Sequence, residues 1–235
     1  MSKIHPDTIK EKLYEDFKGI YGDALISMFI YGHAAETDYD AGSSIITAAA
    51  VLKNASLAEI EKCQKIRNKW LSRKVSVSYF FTMNFIESSL DVFPVEFYNM
   101  KEVHIMAGGE DILSGMKIDK EHLRLQCERE LRGLVLHMRS QYLEACTKLK
   151  KLDTFIKNCL ATFNIIFRGL VYLKQDEVPK TLKEIIHAIE EQYGIGNAIS
   201  SVYNRKITNN IDSYKSAFED FMGSVEKLTK IVDTL

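Results

Sequence analysis

The stretch from Leu25 to Leu52 constrains this chain most. An apolar run, Leu25–Tyr31, stops at Gly32, and a polar loop carrying Glu36, Asp38 and Asp40 follows. Gly42-Ser43-Ser44 then precedes a second apolar run, Ile45–Leu52. Short apolar runs bounded by turn residues read as buried strands. The alanines of the second run are weaker strand formers than the residues of the first. Strand, glycine turn, polar loop and strand is the layout of a site built where two strand ends meet.

Bulk properties narrow the classes of function. The 235 residues are enough for one large domain or two ordinary ones. A net charge of −1 gives the chain as a whole no electrostatic case for nucleic acid or an anionic membrane. The halves differ mildly: residues 1–115 balance at −4 and residues 116–235 at +3. Cys63, Cys127, Cys146 and Cys159 form no C-x-x-C and no zinc spacing, so they read as reduced thiols. The segment Met1–Asp7 lacks the apolar core of a signal peptide. The most apolar long stretch, Phe155–Leu173, carries Lys157, Asn158, Asn164 and Arg168, which argues against a membrane span. The expectation is a cytoplasmic protein.

Periodicity divides the chain near Gly109–Ile118. Before that point, Ile9, Leu13 and Phe17 mark a helix opened by Pro6 and ended by Gly19 and Gly22. Ser56 and Glu59 have the spacing of a capping box for a helix reaching Ser72, and cations cluster at its carboxyl end. Val75–Phe81 alternates as a strand, and Thr82 is placed to cap a short helix through Leu90. Phe93-Pro-Val-Glu-Phe-Tyr reads as a further strand, and Val103–Met106 as a short element ending at Gly108-Gly109. After it, Leu123, Cys127, Leu131, Leu134, Leu136 and Met138 fit a long helix from Asp119 to about Leu149. A helix from Asp153 to Tyr172 is apolar on most sides. A third opens at Pro179 and stops at Gly194, and a last one spans Ile211–Val232. The Phe155, Phe163 and Phe167 stripe reads as core.

Gly32-His33, eleven further residues and a strand starting Ile45-Ile46-Thr47 resemble the nucleotidyltransferase superfamily of polymerase-beta type. Its motif is Gly-Ser or Gly-Gly, a loop, then Asp-x-Asp. Ile30-Tyr-Gly-His-Ala-Ala resembles the form this motif takes in small bacterial members, and Gly42-Ser43-Ser44 resembles the turn before the aspartates. Phe93-Pro-Val-Glu-Phe and Leu123-Arg-x-Gln-Cys-Glu-x-Glu-Leu-Arg look like a subfamily with a helical carboxyl-terminal domain. The resemblance implies an α+β fold: a mixed sheet flanked by helices in residues 1–115, then an all-α helical bundle in residues 116–235.

It also implies a chemistry. Two carboxylates at i and i+2 on one strand, with a third from a neighbouring strand, hold two divalent cations that orient a nucleoside triphosphate. Here the aspartate positions fall on Ile45 and Thr47, and Glu96 is expected to be the third group; all three are then vestigial catalytic positions. Isoleucine and threonine bring no anionic oxygen to a hard cation. The expectation is a catalytically inactive protein that binds a nucleotide-like ligand or a protein partner, with Gly32, His33, Ser43 and Ser44 as nucleotide-binding candidates and no cofactor. An alternative is an active transferase that uses magnesium through Asp38 and Asp40.

A further alternative makes the helical half the working part, as an RNA-cleaving or toxin–antitoxin component. Arg132-Gly-Leu-Val-Leu-His137 matches an R-x4-H pattern found in such domains. Against this, residues five apart on one helix point about 140° apart. Arg124, Arg129, Arg132 and Arg139 are placed either to line a cleft or to pair with Glu128 and Glu130. Phe218, Phe221 and Val225 are the candidate surface for a homodimer.

Overall fold

The structure is a computed structural model that describes residues 4–36, 39, 45–204 and 210–235. It divides into two compact units, Met1–Ile118 and Asp119–Leu235. Asp38, Asp40, Ser43 and Ser44 lie outside the described residues.

In the first unit, helix α1 (Pro6–Tyr21) buries Ile9, Leu13 and Phe17. Gly19 lies within it, and Gly22 ends it at φ 53°, a conformation that suits glycine. Strand β1 (Leu25–Tyr31) is followed by a tight-helical turn at Gly32–Ala35 and then by β2 (Ile46–Leu52). The helix expected through Ser72 is broken at Lys62-Cys63 into α2 (Leu57–Glu61) and α3 (Gln64–Leu71). Its capping box is absent. The Ser56 side chain makes no cap bond, Asn54 Oδ1 accepts from the Ser56 N–H at 2.9 Å, and Glu59 pairs with Lys62 at 2.7 Å. Strand β3 (Val75–Phe81) and α4 (Met83–Glu87) follow, with Thr82 Oγ1 accepting from the Phe85 N–H.

The segment read as a strand after Phe93 is a helix, α5 (Pro94–Glu102), and β4 (His104–Gly109) comes next. Proline at the first helical position loses no helical hydrogen bond and presets φ. Glu96 in the first turn and Lys101 in the last suit the helix dipole. Val95 and Tyr98, like Phe97 and Met100, bury at a helical spacing that the short apolar run concealed.

The sheet order is β3-β2-β1-β4, with β1 antiparallel to β2 and β4, and β2 parallel to β3. One face carries Met28, Ile30, Ala48, Ala50, Val75 and Val77, packed in one cluster with Leu13, Phe17 and Trp70. Burial of this face removes apolar surface from water and so stabilises the unit. Gly108 and Gly109 are the last two residues of β4, as expected. A Cβ on Gly108 would sit 2.4 Å from the Tyr14 ring, and one on Gly109 would sit 2.2 Å from the Ile26 carbonyl. Those glycines let α1 and β1 approach β4 closely.

The second unit packs α6 (Lys120–Ala145), α7 (Leu149–Lys174), α8 (Leu182–Tyr193), α9 (Ala198–Tyr203) and α10 (Ile211–Asp233). Asp119 caps α6, accepting from the Glu121 and His122 N–H groups. On α6 the buried stripe is Leu123, Cys127, Leu131, Val135 and Met138. Leu136, expected within it, is 66% exposed because it lies one residue, about 100°, past Val135. Phe155, Phe163 and Phe167 of α7 are buried, as expected of core. A capping box forms at Thr181 and Glu184, so Thr181 rather than Pro179 opens α8. Phe218, Phe221 and Val225 are buried inside this unit, which removes them as a dimer surface. Among the described residues, no helix is long and apolar enough to cross a membrane.

Candidate functional site

The second face of the sheet, opposite the α1 side, holds Thr47, one of the positions at which the chemistry was expected. Thr47 is the second residue of β2, and its register partners are Tyr31 on β1 and Ser76 on β3. Residues directly opposite on paired strands share a face, so these three side chains stand side by side. Alternation brings Phe29, Ala49 and Val51 to the same side. At β3 the register slips between Ala48 and Ala49, so that Ala48 pairs with Val77 and Ala49 with Tyr79. That bulge returns Tyr79 to the face of Thr47.

The consequence is an aromatic cover over β2. Tyr31 and Tyr79 come from the two strands flanking β2, and their rings stack at 5.9 Å with an interplanar angle of 21°. On β2, Tyr31 stands opposite Thr47 and Tyr79 opposite Ala49, so the rings meet diagonally over two small side chains. Tyr79 continues into Phe81 at 5.4 Å, and Phe81 contacts Phe85 and Phe97. Burial first, and neighbouring Tyr79 second, push the Tyr31 phenol well above its ordinary value, so it is neutral and a hydrogen-bond donor at pH 7.

The predicted site residues are only partly brought together. Gly32 has φ 72° and turns the chain at the end of β1. His33 is exposed, and its Nδ1 lies 2.6 Å from Glu36 Oε2, with its ring edge-on to Tyr39 at 5.7 Å. One of the two ring nitrogens is therefore engaged by a carboxylate. Ile45 is 53% exposed and precedes β2, which begins at Ile46 with an N–H to Lys74 carbonyl bond of 2.9 Å. Ile45 and Thr47 are thus not two residues of one strand. Glu96 is not on a strand at all; it occupies the first turn of α5.

Among the described residues, the hydroxyl-bearing side chains aligned on this face are Thr47, Tyr31 and Ser76. These are neutral hydroxyls, whereas a two-cation site is held by carboxylates. Among the described residues, no group of three His, Cys, Asp or Glu side chains is placed to hold a metal ion.

The arginines of α6 are tied into ion pairs. Arg124 binds Glu121 and the Val232 carbonyl, Arg129 pairs with Glu130, and Arg139 with Glu226. Arg132 is held by Glu128 at 2.7 Å and Asp233 at 3.0 Å, and His137 stands exposed on the same helix. Among the described residues, Arg132 is paired with these carboxylates and not with His137, so the two do not form a catalytic pair.

Sequence reasoning missed Tyr31, Tyr79 and Ser76 as residues of this face. The alternation in Val75–Phe81 carried the strand, but a one-residue bulge leaves no mark in composition, and it decides which way Tyr79 points.

A mixed sheet of this order, flanked by helices and followed by a helical unit, is the α+β fold of a nucleotidyltransferase. Among solved structures, the chain is similar to spectinomycin adenyltransferase AAD(9) from Enterococcus faecialis, determined with ATP and spectinomycin. The match covers 92% of this chain and 98% of that one, with a TM-score of 0.50 and 11% sequence identity. At that identity the likeness establishes the fold. No protein-family model matches the chain, and no curated protein matches it in sequence.

Proposed function

We propose that this chain is a nucleotidyltransferase-fold protein that no longer carries out metal-dependent transfer and instead binds a nucleotide-like ligand at the end of β1 and β2. The observation supporting this is the face around Thr47, where Tyr31 and Ser76 flank it and the Tyr31–Tyr79 stack covers β2. A pair of cations there would exchange water for aromatic carbon and neutral hydroxyls, a large desolvation cost without compensating charge. A planar heterocycle is compatible with the same surface, because aromatic rings accept a stacked base without any metal. The ATP in the similar solved structure points the same way.

Calorimetric titration of the full chain with ATP, with and without magnesium, tests the reading. The expected result is binding of equal affinity in both, weakened by Gly32→Val, since valine disfavours the positive φ at that turn. Binding that requires magnesium, or ATP turnover to pyrophosphate, contradicts it. The half-exposed rings of Tyr79 and Phe85 favour a protein partner as the second reading.

A further inference from the structure

The second unit contains a separate cavity of about 420 Å³, walled by α7, α9, α10 and the first residue of α8. Its lining is mainly apolar, with Ile156, Leu160, Leu182 and Val202 contributing, and its size falls within the range of small-molecule sites. At one wall stand Asp153, Lys157 and Tyr214, and Tyr203 lies on the lining as well.

The polar wall has an internal logic. The Asp153 side chain is only 16% exposed, and it accepts an ammonium, Lys157 Nζ, at 2.8 Å. The Tyr214 hydroxyl is 3.5 Å from Asp153 Oδ1, at the limit of a hydrogen bond, so it leaves that oxygen with acceptor capacity. Lys157 is 65% exposed, and an exposed i,i+4 pair of this kind contributes little to stability. Its ammonium can swing into water at small cost. The carboxylate beside the cavity would then face an apolar chamber with two tyrosine rings in its wall, the surroundings that recognise an organic cation.

We propose that this cavity binds an organic ammonium, with the charged head on Asp153 in place of Lys157 Nζ and an apolar body against Leu160 and Leu182. Lys157 acts as an internal competitor for the site. The site belongs to the second unit alone and does not depend on the nucleotide reading of the first.

The test is calorimetry on the full chain with 4-phenylbutylammonium and its neutral isostere 4-phenylbutan-1-ol. The ammonium is expected to bind about tenfold or more tightly than the alcohol, the scale of one charge-assisted hydrogen bond. Asp153→Asn should abolish that preference while leaving the alcohol unchanged. Lys157→Met should tighten the ammonium several-fold. Ala161→Trp keeps the charges but fills the cavity mouth, and should weaken both probes. Circular dichroism confirms that each variant is folded. Equal binding of the two probes, ammonium binding that survives Ala161→Trp or Asp153→Asn, or no ammonium binding to either wild type or Lys157→Met overturns the proposal.

Discussion

Tyr31 and Tyr79 stack face to face across β2, 5.9 Å apart, although they belong to strands that do not pair with each other. Two sequence details make this contact: the small Thr47 and Ala49 on the strand between them and the register slip that turns Tyr79 to their face. Tyr79→Leu should therefore open the cover above Thr47. The Tyr31 phenol is raised by burial and by Tyr79, so its ionisation should move down toward the ordinary phenol range. Ultraviolet difference titration reads that shift, and loss of the ring pair should lower unfolding free energy by about 1 kcal/mol. An unchanged tyrosine titration would show that the rings do not meet.

Gly109 and Gly194 separate conformational strain from steric exclusion. Both have positive φ, 85° and 59°, but only at Gly109 does a Cβ collide with backbone, the Ile26 carbonyl at 2.2 Å. At Gly194 nothing lies within 4 Å of the added atom. Gly194→Ala should cost about 1–2 kcal/mol, the left-handed penalty alone. Gly109→Ala should cost clearly more in urea denaturation, because β1 and β4 must separate. Equal costs would contradict the close approach of those strands.

Alkaline pH should destabilise the second unit. Burial pushes the Cys159 thiol from 9.0 up to about 12. Below pH 9 it is protonated in both folded and unfolded chains, and the pH has no leverage. Above pH 9 the unfolded thiol ionises while the folded one keeps its proton, so stability falls as pH rises, by about 1.4 kcal/mol per unit from this group. Tyr193, raised mainly by burial, adds to the loss at higher pH. Urea midpoints between pH 8 and pH 11 should fall, and Cys159→Val should remove part of the slope. A flat profile would contradict the burial.

The four cysteines should react in a fixed order. Cys63, Cys127 and Cys159 are buried, and Cys146 is partly exposed after the end of α6. Iodoacetamide at pH 8 should alkylate Cys146 first, with the others following only on unfolding, as read by mass spectrometry. Early modification of Cys127 would be inconsistent with its packing against Gly169.

Much of the architecture is legible in the sequence, and the misreadings have physical causes. Leu25–Tyr31 and Val75–Phe81 announce strands because they are short, apolar and bounded by turn residues. Ile9, Leu13 and Phe17 announce α1 by their four-residue step. Phe93–Tyr98 misleads because so short a segment, apolar but for Glu96, fits either period, and the proline at the first helical position decides it. Ser56 and Glu59 have the spacing of a capping box, but Asn54 and Lys62 capture the groups it needs. The candidate site was legible as an absence of aspartates, since residue types are read directly. Its aromatic cover was not, since it arises from a bulge and from rings meeting across a strand.

The central claim is that the Thr47 face lacks the ligands for a metal–nucleotide complex. Electron paramagnetic resonance of manganese, titrated into the full chain with ATP, tests this most directly. The account predicts that the protein adds no manganese binding beyond that of ATP alone, and that Glu96→Gln changes nothing. A saturable manganese–ATP site on the protein, accompanied by AMP transfer that Asp38→Ala abolishes, would contradict it.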